Sequence, residues 1–349
     1  MTKSAALRGA VLTAGYIAWS LVRLRSRLDL TNKIVLVTGG SRGLGLQLAH
    51  EFGSRGAGVA ICARDRSALN RAEADLTSRG IKARAFVCDV SDREQVQLLI
   101  SHVVEQLGPI DVLVNNAGII RVGPFEQMEL SDFGQAMGVM FWGMLYTTLA
   151  VLPSMRQRRT GSICNIISIG GKVSVPHLLP YSCAKFAAIG LSEGLHSELS
   201  PAGINVTTVV PGLMRTGSHL NAQFKGNYPL EYGWFSGGAA TPIVSIGAAN
   251  AARSIVHAVV HREREKILSL PAQAMARLHD VLPDLAGAVL EIVNRMLPLA
   301  PAGPPHPARP GTEIEAELNS KLWKSATSSG RQAAASQNQL PPAKPIIAL

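Results

Sequence analysis

Tyr181 and Lys185 stand four residues apart in the run Pro180-Tyr181-Ser182-Cys183-Ala184-Lys185, a spacing that puts both side chains on one helix face. An ammonium beside a phenol favours the phenolate and lowers the phenol's pKa from about 10, so the pair suits acid–base work. The spacing alone is common, and an edge tyrosine beside a surface lysine would satisfy it equally. A second feature lies well upstream. The strand-like run Lys33-Ile34-Val35-Leu36-Val37 leads into Thr38-Gly39-Gly40-Ser41-Arg42-Gly43-Leu44-Gly45 and then a helical pattern from Leu46 to Phe52. A strand, a glycine-rich turn and a helix N-terminus in that order form an anion cradle, because free backbone N–H groups and the helix dipole point at a phosphate. Glycine permits positive φ and lets a pyrophosphate approach the backbone.

Together these pieces resemble the short-chain dehydrogenase/reductase family. Its Thr-Gly-x-x-x-Gly-x-Gly motif matches Thr38, Gly39, Gly43 and Gly45, and its Asn-Asn-Ala-Gly motif matches Asn115-Asn116-Ala117-Gly118. Its active-site serine falls on Ser168 and its Pro-Gly after the sixth strand on Pro211-Gly212. The resemblance covers about residues 31 to 270 and implies a dinucleotide held along the turn, Ser41, Arg42 and Leu44 included, with a Ser168-Tyr181-Lys185 site. It further implies that Asp89-Val90 meet the adenine, Asn116 to Gly118 line the floor beneath the ribose, and Thr216 meets the carboxamide. Asn115 or Asn116 would serve equally as a strand-end brace.

In the reductive direction the resemblance makes Tyr181 the proton donor to a carbonyl oxygen and Ser168 a hydrogen-bond donor to it. Lys185 binds the nicotinamide ribose and eases ionisation of the phenol. One family position departs. The asparagine that relays protons to the lysine aligns with Met140, and a thioether donates nothing. The leading expectation is therefore a reductase or dehydrogenase interconverting a ketone and a secondary alcohol; the alternative is a non-catalytic nucleotide-binding or scaffold protein.

An NAD reader usually places an acid at the end of its second strand. This chain has Ile61-Cys62-Ala63-Arg64 there, with Asp65 one place later. A guanidinium suits a 2′-phosphate, and Arg42 adds a second cation by resemblance, so NADP(H) is expected over NAD(H). The alternative has Arg64 solvated and Asp65 turned inward.

Apolar runs at Ile34–Val37, Gly58–Cys62, Ala85–Val87, Val112–Val114, Ile163–Ile167, Val206–Val210 and Ile267–Leu270 alternate with helical patterns near 44–54, 66–78, 92–107, 131–157, 181–199 and 247–261. Such alternation predicts an α/β fold with a doubly wound parallel sheet. The resemblance supplies seven strands in the order 3-2-1-4-5-6-7, and a homo-oligomer through the helices at 131–157 and 181–199. Beyond Leu270, apolar residues recur at helical spacing across Pro283, which predicts two amphipathic helices over 271–300. They pack on the domain or another subunit, or touch a membrane surface. From Pro301 to the end, Pro/Ala-rich and then Ser/Gln/Ala-rich sequence predicts disorder, with a helical turn between Glu313 and Lys324.

Between Phe224 and Phe235, five aromatic residues crowd a chain that is only 5% aromatic, which suggests a hydrophobic substrate pocket, or a lid core or dimer surface. His177 either orients a substrate or is solvated. Residues 9–22 carry no charge and are followed by Arg23, Arg25 and Arg27. Within residues 1–30 this run predicts a membrane-associating segment holding a cytoplasmic domain, or a helix packed on the protein. The formal charge of +10 fits an anionic surface, and no nucleic-acid motif accompanies it. Four cysteines lack metal-ligand spacing and predict buried thiols, with no metal.

Overall fold

The computed structural model describes residues 27–240, 245–318 and 328–339. The apolar run 9–22 lies outside the described residues. Seven parallel strands form the central sheet: β1 (Ile34–Thr38), β2 (Gly58–Ala63), β3 (Ala83–Val87), β4 (Val112–Asn115), β5 (Gly161–Ile166), β6 (Ile204–Pro211) and β7 (Glu265–Leu268). Their order is the expected 3-2-1-4-5-6-7, with Val35 of β1 opposite Val59 on one side and Val112 on the other.

The sheet is apolar on both faces because helices cover both. Side chains alternate along β1, so Val35 and Val37 join Leu48, Phe52 and Ile255 in one core. Ile34 and Leu36 join Val103, Val151 and Met155 in the other. The covering helices are α1 (Gly43–Gly53), α2 (Arg66–Ser78), α3 (Arg93–Leu107), α4 (Leu130–Met137), α5 (Gly143–Arg158), α6 (Leu179–Leu199), α7 (Tyr228–Ala240) and α8 (Ala248–Val260). Asp65 and Asp92 cap α2 and α3, each carboxylate accepting two backbone N–H bonds.

Three expectations need correction. The helix over 131–157 is two helices, α4 and α5, joined by a π-helical turn at Gly138–Trp142. The last strand begins at Glu265 rather than Ile267 and ends at Leu268, because Ser269 takes a positive φ of 75° and its hydroxyl caps the next helix. Leu270 is consequently a helical residue, 79% exposed. The third concerns the C-terminus, where disorder is expected from Pro301. Arg309 and Pro310 instead pair antiparallel with Phe224 and Gln223.

Two helices follow α8 as the apolar spacing foretells, α9 (Leu270–Val281) and α10 (Pro283–Met296). Beyond them come α11 (Gly311–Leu318) and α12 (Ser328–Ser336). Ile314 of α11 is buried among Val122, Phe224, Tyr232 and Phe235. The tail orders there because the domain supplies apolar surface that the tail lacks by itself. Cys62, Cys88 and Cys164 are buried free thiols, whereas Cys183 is exposed, contrary to expectation, because it falls on the outer face of α6.

Candidate active site

β5 ends where Ser168 leaves the sheet, and α6 begins just ahead of Tyr181, so the C-terminal edge of the sheet brings both to one place. Gly170 lies between them. A Cβ there would stand 3.1 Å from Tyr181 Cε1 and 3.6 Å from Ser168 Oγ, so a side chain at this position would crowd the phenol. The Ser168 hydroxyl also accepts the Gly170 N–H at 3.1 Å, which orients it.

Lys185 is buried one turn along α6. Its ammonium donates to the Ile166 carbonyl at 2.8 Å and lies 5.7 Å from the centre of the Tyr181 ring. Burial pulls the Lys185 pKa down to about 7. The sequence-based expectation for the phenol is reversed: burial raises the Tyr181 pKa, and hydrogen bonding with Ser168 only partly offsets this. The phenol is therefore protonated near neutral pH, the state a proton donor needs.

Met140 sits in the π turn, buried with Ala136 and Ala184 and packed against Tyr181. Its sulfur would be 3.6 Å from a Cβ on Gly118. A thioether thus occupies the ground between the strand-four motif and the phenol. Asn115 is a brace: its amide donates to Asn165 Oδ1 at 2.9 Å and accepts from Thr147 Oγ1 at 2.6 Å. Asn116 ties the glycine turn down, donating to the Thr38 carbonyl at 2.9 Å, while the Thr38 hydroxyl accepts the N–H groups of Asn116 and Ala117.

The turn itself fits a dinucleotide phosphate. Gly39 and Gly43 take positive φ of 63° and 58°, and a Cβ on Gly45 would lie 2.2 Å from the Gly39 carbonyl oxygen. The first turn of α1 has neither a side-chain cap nor an acidic residue, which suits its dipole to an anion. Beside it, Arg64 is largely exposed, 3.8 Å from Asp89. Asp65 does not turn inward; its carboxylate accepts the N–H groups of Ser67 and Ala68. Arg42 donates to Asn221 Oδ1 at 2.7 Å. Asp89 accepts from Ser91, and Val90 packs into the core below. Across the cleft, Pro211 ends β6, Gly212 packs against Ala272 and Ser269, and Thr216 is buried facing Gly43.

Residues 33–224 match the short chain dehydrogenase family. The chain belongs to that family. It is an NAD(P)-dependent oxidoreductase. Among relatives, a putative ketoacyl reductase of Streptomyces coelicolor is 38% identical over 189 residues, covering 53% of this chain and 72% of that one. The 3-ketodihydrosphingosine reductase of Mus musculus is 36% identical over 189 residues, covering 53% of this chain and 57% of the relative. The structure of a variant actinorhodin polyketide ketoreductase with NADPH aligns with a TM-score of 0.62 at 29% identity, over 69% of this chain and 97% of that one. A short chain dehydrogenase/reductase from Burkholderia phymatum in complex with NAD shares the fold, with a TM-score of 0.68 at 23% identity over 74% and 96% of the two chains.

In this dehydrogenase the crowded aromatic residues form a packed cluster with Val122 and Ile314. Phe224 meets Tyr232 and Phe235 edge-on at 5.4 and 5.9 Å, with Leu178 packed against the cluster. His177 is not solvated: its Nδ1 pairs with the fully buried Glu231 at 2.9 Å, which also accepts Trp234 Nε1–H at 2.7 Å. Sequence reading missed two further features. Lys225 is buried against Asp132 and Glu129, at 2.9 and 2.6 Å, and Asp132 also holds Arg121. Residues Gln337 to Gln339 lie in the cleft against Ser41, Gly43 and Thr216. Neither carries a local pattern, because each is assembled from segments distant in the chain.

Proposed function

We propose that this enzyme uses NADP(H) to interconvert a ketone and a secondary alcohol on a hydrophobic, lipid-like substrate. The observation that carries the chemistry is the convergence of Ser168, Tyr181 and Lys185 beside the glycine turn. When bound, the coenzyme supplies or accepts the hydride. The residues do the rest. The Tyr181 phenol holds its proton at neutral pH and gives it to the carbonyl oxygen, the Ser168 hydroxyl donates to the same oxygen as charge develops, and Lys185 sits behind the phenol to favour its ionised form. NADP(H) is favoured over NAD(H) because Arg64 follows β2 and Arg42 lies in the glycine turn, two cations that suit a 2′-phosphate, while Asp65 is engaged in capping α2.

A lipid-like substrate is supported from two directions. The two relatives are named as a putative ketoacyl reductase and a 3-ketodihydrosphingosine reductase. An open cavity of about 820 Å³ is lined by Leu230, Trp234, Met296, Leu297, Pro298 and Leu318. The Trp234 ring is 6.3 Å from that of His177, on the loop that leads into Tyr181. Work at a membrane surface accounts for the apolar segment 9–22 and for the exposed Val281, Leu285, Ile292 and Met296 of α9 and α10. Exposed Trp142 and Leu149 on the α5 side and Phe186 on α6 fit contact with a second copy.

Tyr181→Phe tests the assignment. With NADPH and a long-chain 3-ketoacyl or 3-keto-sphingoid substrate, the variant should lose about 10²- to 10⁴-fold in kcat with unchanged nucleotide binding. Parent-like turnover would remove Tyr181 from the chemistry.

A further inference from the structure

The strand-turn-helix cradle is the dinucleotide site of this family, and here residues 337–339 of the chain itself enter it. The Gly43 N–H, at the start of α1, donates to the Gln337 carbonyl at 2.9 Å. The Asn338 side chain donates to the carbonyls of Ser41 and Ala68 at 2.7 and 2.9 Å and accepts from Arg71 Nε at 2.7 Å. The Gln339 amide donates to the Thr216 carbonyl at 2.9 Å, and its Oε1 accepts from Asn221 at 2.8 Å. Its nitrogen stands 2.8 Å from where a Cβ on Gly43 would be. Three consecutive residues therefore bridge the two walls of the cleft, the glycine turn with α2 on one side and the loop after β6 on the other.

The contacts at Gly43 and Thr216 occupy ground that a dinucleotide needs. The Gly43 N–H is a donor for a phosphate oxygen, the open face of Gly43 is where a pyrophosphate approaches, and Thr216 lies toward the nicotinamide end. A carbonyl and two carboxamides now fill this path. Two chains of atoms cannot share that volume, so tail and coenzyme exclude one another.

The balance between them follows from charge. Residues 332–339 are Gln, Ala, Ser and Asn, without a charge, so the tail gains little from the α1 dipole or from Arg42. A pyrophosphate carries negative charge and gains from both. The tail's docking is also imperfect, since the buried Gln337 Oε1 has no hydrogen-bond partner among the described residues. Against this, Ala334 is fully buried, and its Cα would be only 2.5 Å from a Cβ on Gly217, so α12 is anchored by packing that the coenzyme does not contest.

We infer that residues 337–339 form an autoinhibitory latch, held in the coenzyme cleft by α12, which competes with NADP(H) for the Gly43 cradle. The inference rests on the dinucleotide reading of the site, and its test separates the two.

The experiment compares the full chain with Asn338→Ala/Gln339→Ala, which leaves α12 and its Ala334 anchor intact, and with a chain ending at residue 327. Equilibrium NADPH binding, followed by nicotinamide fluorescence, should tighten by about tenfold in the double variant, as expected if roughly a tenth of the parent is open. Hydrogen exchange of nucleotide-free protein supplies a readout independent of binding: the Gly43 amide should be protected in the parent and exchange faster in the double variant. Unchanged or weaker NADPH affinity in a well-folded double variant would overturn the latch while leaving the coenzyme reading intact, weaker binding marking a lid that closes over bound nucleotide. Equal Gly43 exchange in both proteins would overturn it too. Failure of parent and variants to bind either NADPH or NADH would defeat the dinucleotide reading, and the latch with it.

Discussion

The Lys185 ammonium lies 5.7 Å from the centre of the Tyr181 ring and donates to the Ile166 carbonyl at 2.8 Å. Desolvation by burial, with no carboxylate contributing, brings its pKa down from 10.5 to about 7. Between about pH 7 and 10.5 the unfolded chain holds a proton here that the native protein has lost, so this group makes stability rise with pH across that window. Below pH 7 both states are charged, and the full cost of burying the charge is present. Lys185→Met should therefore be at least as stable as the parent at about pH 6 and should flatten the rise toward about pH 10, measured by urea unfolding of nucleotide-free protein. Parallel pH profiles for the two proteins would contradict the depressed pKa.

Coenzyme preference should depend on Arg64. Its side chain reaches no described partner closer than Asp89, at 3.8 Å, so Arg64→Ala removes little from the fold. A charge-assisted hydrogen bond to a 2′-phosphate is worth about 1.5–3 kcal/mol, so NADPH affinity should fall about 10- to 150-fold. NADH affinity, titrated alongside, should move less than about threefold. An equal loss for both coenzymes would place Arg64 away from the 2′ position.

The glycine turn, the Asn115-Asn116 motif and the Tyr181-Lys185 pair are legible in the sequence because each is a local pattern whose chemistry depends on neighbours within a few residues. The seven strands are legible for a related reason: a sheet covered on both faces must be written as continuous apolar runs, as β1 and β4 are. Strand seven and the broken helix depart from their expected bounds through local geometry, the positive φ of Ser269 and the π turn at Gly138–Trp142, which leave no periodic trace. The phenol's pKa moves against expectation because spacing reveals the neighbouring ammonium but not the burial that outweighs it. The Gln337–Gln339 segment is illegible for a different reason. Its Ser/Gln/Ala composition has no apolar period, and its order comes from amide contacts to Ser41, Ala68 and Thr216, far away in sequence.

Met140 fills an apolar niche between Gly118, Ala184 and Tyr181. Met140→Asn places a carboxamide there, and an amide group left unsatisfied costs about 1–3 kcal/mol. A thioether cannot relay a proton, so the proposed chemistry requires a path to Lys185 that bypasses Met140. Restoring the amide should change kcat less than about threefold while lowering the urea midpoint. A gain of tenfold or more in kcat would show instead that the thioether interrupts the relay.

The loop entering α6 is held by a buried pair as well as by packing against the aromatic cluster. His177 takes a positive φ of 62°, a strained position for a residue with a side chain. Its Nδ1 is held by Glu231 at 2.9 Å, and the same carboxylate accepts Trp234 Nε1–H. Glu231 is fully buried, so both donors depend on it. Glu231→Gln keeps the volume but leaves one acceptor oxygen for two N–H groups and adds an amide that needs its own partners. The loss should be about 1–3 kcal/mol, read from urea unfolding. Because this loop carries the approach to Tyr181, KM for a long-chain ketone should rise more than kcat falls. A variant with parent-like stability and an unchanged KM would show that the Glu231–His177 pair neither holds the loop nor shapes the substrate entrance.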